Sequence, residues 1–241
     1  MNRATVTLLL SLFAATPLSA ERMLTYDPSL GTLPEAQGWS LVESGTHPAP
    51  FVSGGVLHQG LTTGPSQFWT GTYSTPADFS IDTITMEARL HVLSSDLGFP
   101  GGKPRTGYFI TVRDQTGRLF LVGMGTDRVI LRNSSGASSA VGQHLFDTTD
   151  GFHDYQLVVD SSGAQLSVDG SFVLSMPLGP TEPGTVANFG AVASGFRSET
   201  DLAYLTISNQ VVVPEPSTFA LVAFGFVALA AWGWRRKRQT L

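Results

Sequence analysis

Between residues 152 and 176 the chain alternates apolar and polar side chains with a period of two, in three short runs separated by turns. Tyr155-Gln156-Leu157-Val158-Val159-Asp160 is the first run, and Ser161-Ser162-Gly163 reverses it. Ala164-Gln165-Leu166-Ser167-Val168-Asp169 follows, with Ala164, Leu166 and Val168 on one face. Asp169-Gly170 then turns the chain into Phe172-Val173-Leu174-Ser175-Met176. A period of two is the repeat of a strand with one face on a core. Asp-Gly between two such runs signals a tight hairpin, because both central residues of its turn need positive φ. A helix buries a stripe that recurs every three to four residues, so this pattern excludes one here.

The same pattern runs upstream. Ile84, Met86, Ala88, Leu90 and Val92 share one face of a run, and Thr85, Glu87, Arg89 and His91 share the other. Residues 108–113 and 118–122 flank Asp114-Gln115-Thr116-Gly117 as a second hairpin, and Thr126-Asp127 leads into a short strand over 128–132. In the last run, Leu202 and Tyr204 fall out of register with Leu205 and Ile207; a β-bulge near Ala203-Tyr204 reconciles them. Short strands at this spacing, with no long helical pattern, predict an all-β fold: an antiparallel two-sheet jelly-roll sandwich. Residues 21–50, rich in Gly and Pro, read either as its first strands or as a lead-in segment.

The two ends differ from this middle. Arg3 precedes the apolar run 6–15, and Pro17-Leu18-Ser19-Ala20 closes it, the layout of a secretory signal peptide over residues 1–20. Residues 217–234 carry no charge, and as a helix they span about 27 Å, enough for a hydrocarbon core of about 30 Å. Trp232 and Trp234 suit the headgroup level, and Arg235, Arg236, Lys237 and Arg238 form a basic stop-transfer cluster that stays cytoplasmic. Both ends therefore predict that the middle is exported. Of 14 basic residues five lie in the two ends, and of 19 acidic residues only Glu215 does. The middle is thus acidic, which argues against binding nucleic acid. With no cysteine, disulfides, thiol nucleophiles and zinc–thiolate sites are excluded.

Val213-Pro214-Glu215-Pro216, then the apolar segment, then the basic cluster, resembles the PEP-CTERM sorting signal of Gram-negative bacteria that make extracellular polysaccharide. Pro214 and Pro216 keep the motif extended, a shape a protease threads. The resemblance implies an exosortase, a membrane-embedded cysteine protease, as partner. It also implies anchoring in the inner membrane through the C-terminal helix before sorting to the cell surface. Residues 51–209, through FHDYQLVVDSSGAQLSVDGSFVL, Phe189-Gly190-Ala191 and the closing strand, look like a concanavalin A-like lectin/glucanase domain. Residues 210–216 are then a linker and 235–241 a cytoplasmic tail.

That resemblance raises glycoside hydrolysis, which needs two carboxylates flanking the scissile bond. Glucanases of this fold carry them as Glu-x-Asp-x-(x)-Glu on one strand, and Glu87 is the only acid on its run. Asp147, Asp150 and Asp154 read as loop acids, no G-x-S-x-G or H-E-x-x-H occurs, and the five histidines lack metal-ligand spacing. The expectation is therefore a non-enzymatic domain that binds an exopolysaccharide or other surface glycan. The alternatives are a purely structural surface protein and a diverged glycoside hydrolase. Exposed aromatics stack on sugars, so Trp69, Tyr73 and Tyr108 are candidates, with Arg113 and Asp127 as polar partners. No cofactor is required. Calcium serves many domains of the resembled kind, but convergence of Asp96, Asp127 and Asp201 is not readable from sequence.

Overall fold

A half-buried strand needs neighbours on both sides and a second layer beneath. The computed structural model supplies them as two stacked antiparallel sheets. It describes residues 21–45, 47–61, 66–72, 82–95, 107–114, 116–134, 141–181, 186–192 and 198–211. The expected signal peptide, the Pro-Glu-Pro motif, the expected membrane span, the basic cluster, Tyr73 and Asp96 lie outside these residues. Among the described residues no helix is long and apolar enough to cross a membrane.

The strands are β1 (Glu21–Tyr26), β2 (Ser40–Ser44), β3 (Phe51–Ser53), β4 (Val56–Leu61), β5 (Ser66–Thr72), β6 (Asp82–Ser95), β7 (Tyr108–Arg113) and β8 (Leu119–Met124). Then come β9 (Arg128–Arg132), β10 (Val141–Leu145), β11 (His153–Asp160), β12 (Gly163–Val168), β13 (Ser171–Met176), β14 (Val186–Val192) and β15 (Ser198–Val211). One sheet runs β13-β12-β11-β6-β15-β4-β3, with β1 also on β15; the other runs β10-β9-β8-β7-β14-β5-β2. The fold is all-β, as the alternation requires.

The sequence pattern sets each face. Ile84, Met86, Ala88, Leu90 and Val92 are fully buried, whereas Glu87 and Arg89 stand exposed on the other side of β6. Opposite them, Val112, Phe120, Val122 and Leu131 line the inner face of the second sheet. The register of β15 against β6 shifts between Leu202 and Tyr204, so both Leu202 and Leu205 reach the core. The bulge expected from the broken alternation lies there. At Asp169-Gly170 the φ angles are 49° and 75°, the pair a tight hairpin turn demands. The Asp169 carboxylate accepts the Asp154 amide at 2.9 Å, which ties that turn to the start of β11.

Residues 21–50 belong to the sandwich. β1 pairs with β15 and β2 with β5, and between them two 3-10 turns, Pro28–Leu30 and Pro34–Gln37, bring Trp39 into the core. Trp39 meets Phe189 edge-on at 4.7 Å, and its Nε1 donates to the Thr25 carbonyl at 3.0 Å. Tyr26 and Trp69 stack on the same Phe189 at 5.7 and 5.2 Å. Burying a large aromatic side chain contributes about 2–3 kcal/mol each, so this cluster is a main anchor between the layers.

Candidate functional site

The four expected binding residues that the structure describes, Trp69, Tyr108, Arg113 and Asp127, do not form one site. Trp69 lies on β5 with its ring between the sheets, fully buried against Phe189. Tyr108 on β7 is also buried, and burial pushes its phenol far above the ordinary tyrosine value. Neither ring presents a face to a sugar, which corrects their selection as stacking platforms. For Trp69 the reason is strand parity, since its outward neighbours Phe68 and Thr70 are half-buried; Tyr108 lies on a strand whose residues 108–112 are buried on both faces. Tyr73 falls outside the described residues. Arg113 is half-buried at the end of β7. Of the four described candidates only Asp127 is exposed, in the turn between β8 and β9.

Around Asp127 the chain builds a depression. The turn closes with the Gly125 amide donating to the Arg128 carbonyl at 2.9 Å. The segment after β10 then runs along this turn. The Phe146 amide donates to the Asp127 carbonyl and the Thr148 amide to the Thr126 carbonyl, each at 3.1 Å, and the Thr148 hydroxyl donates to the Gly125 carbonyl. The result is a depression of about 580 Å³ lined by Thr126, Asp127, Arg128, Leu145, Phe146 and Asp147. That volume falls within the roughly 300–1,000 Å³ of small-molecule sites.

Its chemistry divides into a polar rim and an apolar wall. Arg128 donates from Nε and NH2 to the two Asp127 oxygens at 2.8 and 2.6 Å, a fork that fixes both side chains. The Arg128 hydrogen bond holds the Asp127 carboxyl below the usual carboxylate range. Asp147 accepts from the Thr149 hydroxyl at 2.7 Å and the Thr149 amide at 2.8 Å, and these bonds lower its pKa as well. Both acids are therefore charged at neutral pH. Leu145 is 64% exposed, and Phe146 is half-buried beside it.

The apolar wall is braced from behind. Phe146 meets His153 edge-on at 5.3 Å, and His153 bonds Asp169 through Nδ1 and Asp150 through Nε2, both at 2.7 Å. Partial burial disfavours the imidazolium of His153, but the two carboxylates outweigh it and raise the pKa above the ordinary histidine value. Burial also opposes the charge on Asp169, and bonds from the Asp154 amide and His153 prevail to lower its pKa. Asp154, expected in a loop, stands instead on β11, where its carboxylate is engaged by Arg89 at 3.1 Å and the Tyr204 hydroxyl at 3.2 Å. For a cation the geometry is unfavourable, since Asp127 is held by Arg128 while Asp201 on β15 bonds His58. Among the described residues no three His, Cys, Asp or Glu side chains are grouped to hold a metal ion.

Beyond the sandwich, residues 212–238 match the PEP-CTERM protein-sorting motif. The chain carries a PEP-CTERM sorting signal. It takes in Pro214, Glu215 and Pro216, the apolar segment and the cluster Arg235 to Arg238. A PEP-CTERM motif indicates export, exosortase processing and sorting to the cell surface. No curated protein matches the sequence. Among solved structures, the sandwich of this chain is similar to a carbohydrate esterase from Shiga toxin-encoding bacteriophage phi24B. That likeness has TM-score 0.56 and 14% identity, covering 79% of this chain and 99% of that one. It is similar also to the catalytic domain of an endo-1,3-beta-glucanase (laminarinase) from Thermotoga petrophila RKU-1, at TM-score 0.53 and 12% identity, over 79% and 98% of the two chains. A third neighbour is the binding domain of botulinum neurotoxin DC in complex with SialylT, at TM-score 0.53 and 10% identity, where the match covers 78% of this chain and 48% of that one. At these identities the likeness is one of fold, of the concanavalin A-like lectin/glucanase type.

Proposed function

We propose that this is an exosortase-sorted surface protein whose sandwich binds carbohydrate, at the depression beside Asp127, without cleaving the glycosidic bond. The observation that carries the reading is the composition of that depression. A fixed Asp127–Arg128 fork offers donors and acceptors to sugar hydroxyls, next to the apolar Leu145 and Phe146 that a pyranose face packs against. Two of the proteins that share the fold are named for carbohydrate chemistry, the esterase and the laminarinase, which supports the substrate class. Binding is favoured over glycoside hydrolysis by the electrostatics. A glycosidase needs one carboxyl protonated near neutrality, and Asp127 and Asp147 both have lowered pKa values. In this reading residues 217–234 anchor the protein in the inner membrane until the exosortase acts. The basic residues 235–238 face the cytoplasm.

The test is co-sedimentation of the full chain, in detergent micelles, with polysaccharides of the producing cell. Saturable pelleting is expected, unaffected by chelators. It should weaken about tenfold or more in Arg128→Ala and in Phe146→Ala, a loss of about 1.4 kcal/mol. Absence of pelleting with every polysaccharide by a folded protein would leave the purely structural role.

A further inference from the structure

On the other sheet, three side chains far apart in sequence form a chain of hydrogen bonds. Ser53 Oγ lies 2.9 Å from His58 Nε2, and His58 Nδ1 lies 2.7 Å from Asp201 Oδ1. The sheet produces this alignment directly. β3 and β4 are joined by the two-residue turn Gly54-Gly55, both at positive φ (58° and 77°), so Phe51 pairs with His58 and Ser53 sits diagonal to it. On the far side of β4, β15 places Asp201 opposite His58. Phe51 stacks on the imidazole at 4.7 Å and 25°, which fixes the ring plane.

The atoms are used in the order that nucleophilic catalysis requires. A carboxylate only accepts, so Asp201 selects the tautomer of a neutral His58 in which Nδ1 carries the hydrogen. Nε2 is then the acceptor for the Ser53 hydroxyl. That is the nucleophile–base–orienting-acid arrangement, recognised by geometry and not by sequence order. Ser53 is exposed, and the His58 and Asp201 side chains are 29% and 16% exposed. The nucleophile therefore meets solvent while its supports are partly shielded. In the turn after Ser53, a Cβ at Gly54 would meet nothing within 4 Å, so that side of the turn is open, whereas one at Gly55 would meet Ser29 at 3.7 Å.

We propose that Ser53, His58 and Asp201 form a catalytic triad that hydrolyses short-chain acyl esters. Ser53 Oγ adds to the acyl carbonyl carbon as its proton passes to His58 Nε2, and Asp201 stabilises the imidazolium. The bond from that carbon to the alcohol oxygen breaks as His58 returns the proton to the departing alcohol. Water, deprotonated by the same nitrogen, then cleaves the Ser53 acyl ester and releases the carboxylic acid. Ester and water give acid and alcohol, with no cofactor. The acyl group is short because the triad lies on an open sheet face, where the 56% exposed Phe51 ring is the apolar surface beside it. The same openness leaves room for a large alcohol component. This activity is independent of the depression, which lies on the other sheet.

The experiment treats the full chain in micelles with a fluorophosphonate probe and, separately, with p-nitrophenyl acetate. One phosphonyl adduct is expected, on Ser53, with loss of fluoride. Ser53→Ala should abolish it together with ester hydrolysis. His58→Gln should slow both by about 10²-fold or more, the usual contribution of a general base. Ser175→Ala, an exposed strand serine elsewhere, should change neither. Thermal melts verify folding, and Ser53→Ala, at an exposed hairpin tip, keeps the test decisive if His58→Gln is unstable. Absence of an adduct at Ser53, or hydrolysis that persists in Ser53→Ala, would overturn the proposal.

Discussion

The molecule has two groups of aromatic side chains in opposite surroundings. Trp39, Trp69, Tyr26 and Phe189 meet between the sheets, all at most 3% exposed, and hold the layers together. Phe146 and Phe51 sit at the margins, each against a histidine that bonds carboxylate: Phe146 on His153, and Phe51 on His58. The central rings maximise area removed from water; the marginal ones leave part of their surface free and position a polar group. In a sandwich, then, residue type alone does not tell a binding aromatic from a core aromatic. The face of the strand decides, together with distance from the strand end.

That contrast breaks first at Trp69. Trp69→Ala should destabilise the domain by about 3–5 kcal/mol, because the ring is fully enclosed and the cavity cannot collapse. In a domain of this size that lowers the melting temperature by about 6–20 °C. Glycan binding by the fraction still folded should be unchanged. A Trp69→Ala protein of normal stability that fails to bind would instead return Trp69 to the binding surface.

A smaller effect is expected at the brace behind Phe146. The folded protein keeps His153 protonated to higher pH than the unfolded chain, because Asp169 and Asp150 hold its proton. Its contribution to stability is therefore complete below about pH 6.5 and is lost as the pH rises through the raised native value. Asp169 acts in the opposite sense: its lowered pKa makes its contribution present above the unfolded value of about 4 and lost in acid. The melting temperature of His153→Gln should thus trail the parent most near pH 5–6, with the gap narrowing toward pH 8. A gap independent of pH would remove the charged pair from the account.

Much of the fold was legible because strand pairing writes itself into local alternation. The runs at β6, β11 and β12, the Asp169-Gly170 turn and the bulge at Ala203 needed no knowledge of their partners. β5 was not legible in this way. Its inward face is Gln67, Trp69 and Gly71, and burial of the Gln67 side chain is offset by hydrogen bonds: its Nε2 donates to Glu43 at 2.8 Å and its Oε1 accepts from Gln59 Nε2 at 3.3 Å. A buried glutamine inverts the apparent polarity of the strand, so its alternation does not place Trp69 on the inward face. β10 carries the reverse disguise, with Val141 and Leu145 exposed on an edge strand. Asp127 was readable as a turn residue, but its neighbours Leu145 and Phe146 join it only through hydrogen bonds between distant loops. The Ser53–His58–Asp201 chain spans 143 residues between its last two members, and no motif in sequence announces it.

The central claim, that the depression beside Asp127 is where carbohydrate binds, is tested most directly by hydrogen–deuterium exchange with and without saturating polysaccharide fragments. Protection is predicted at residues 125–128 and 145–149, with the core strands around Trp69 and Phe189 unchanged. Binding that protects neither segment, or that protects a different face of the sandwich, would contradict it.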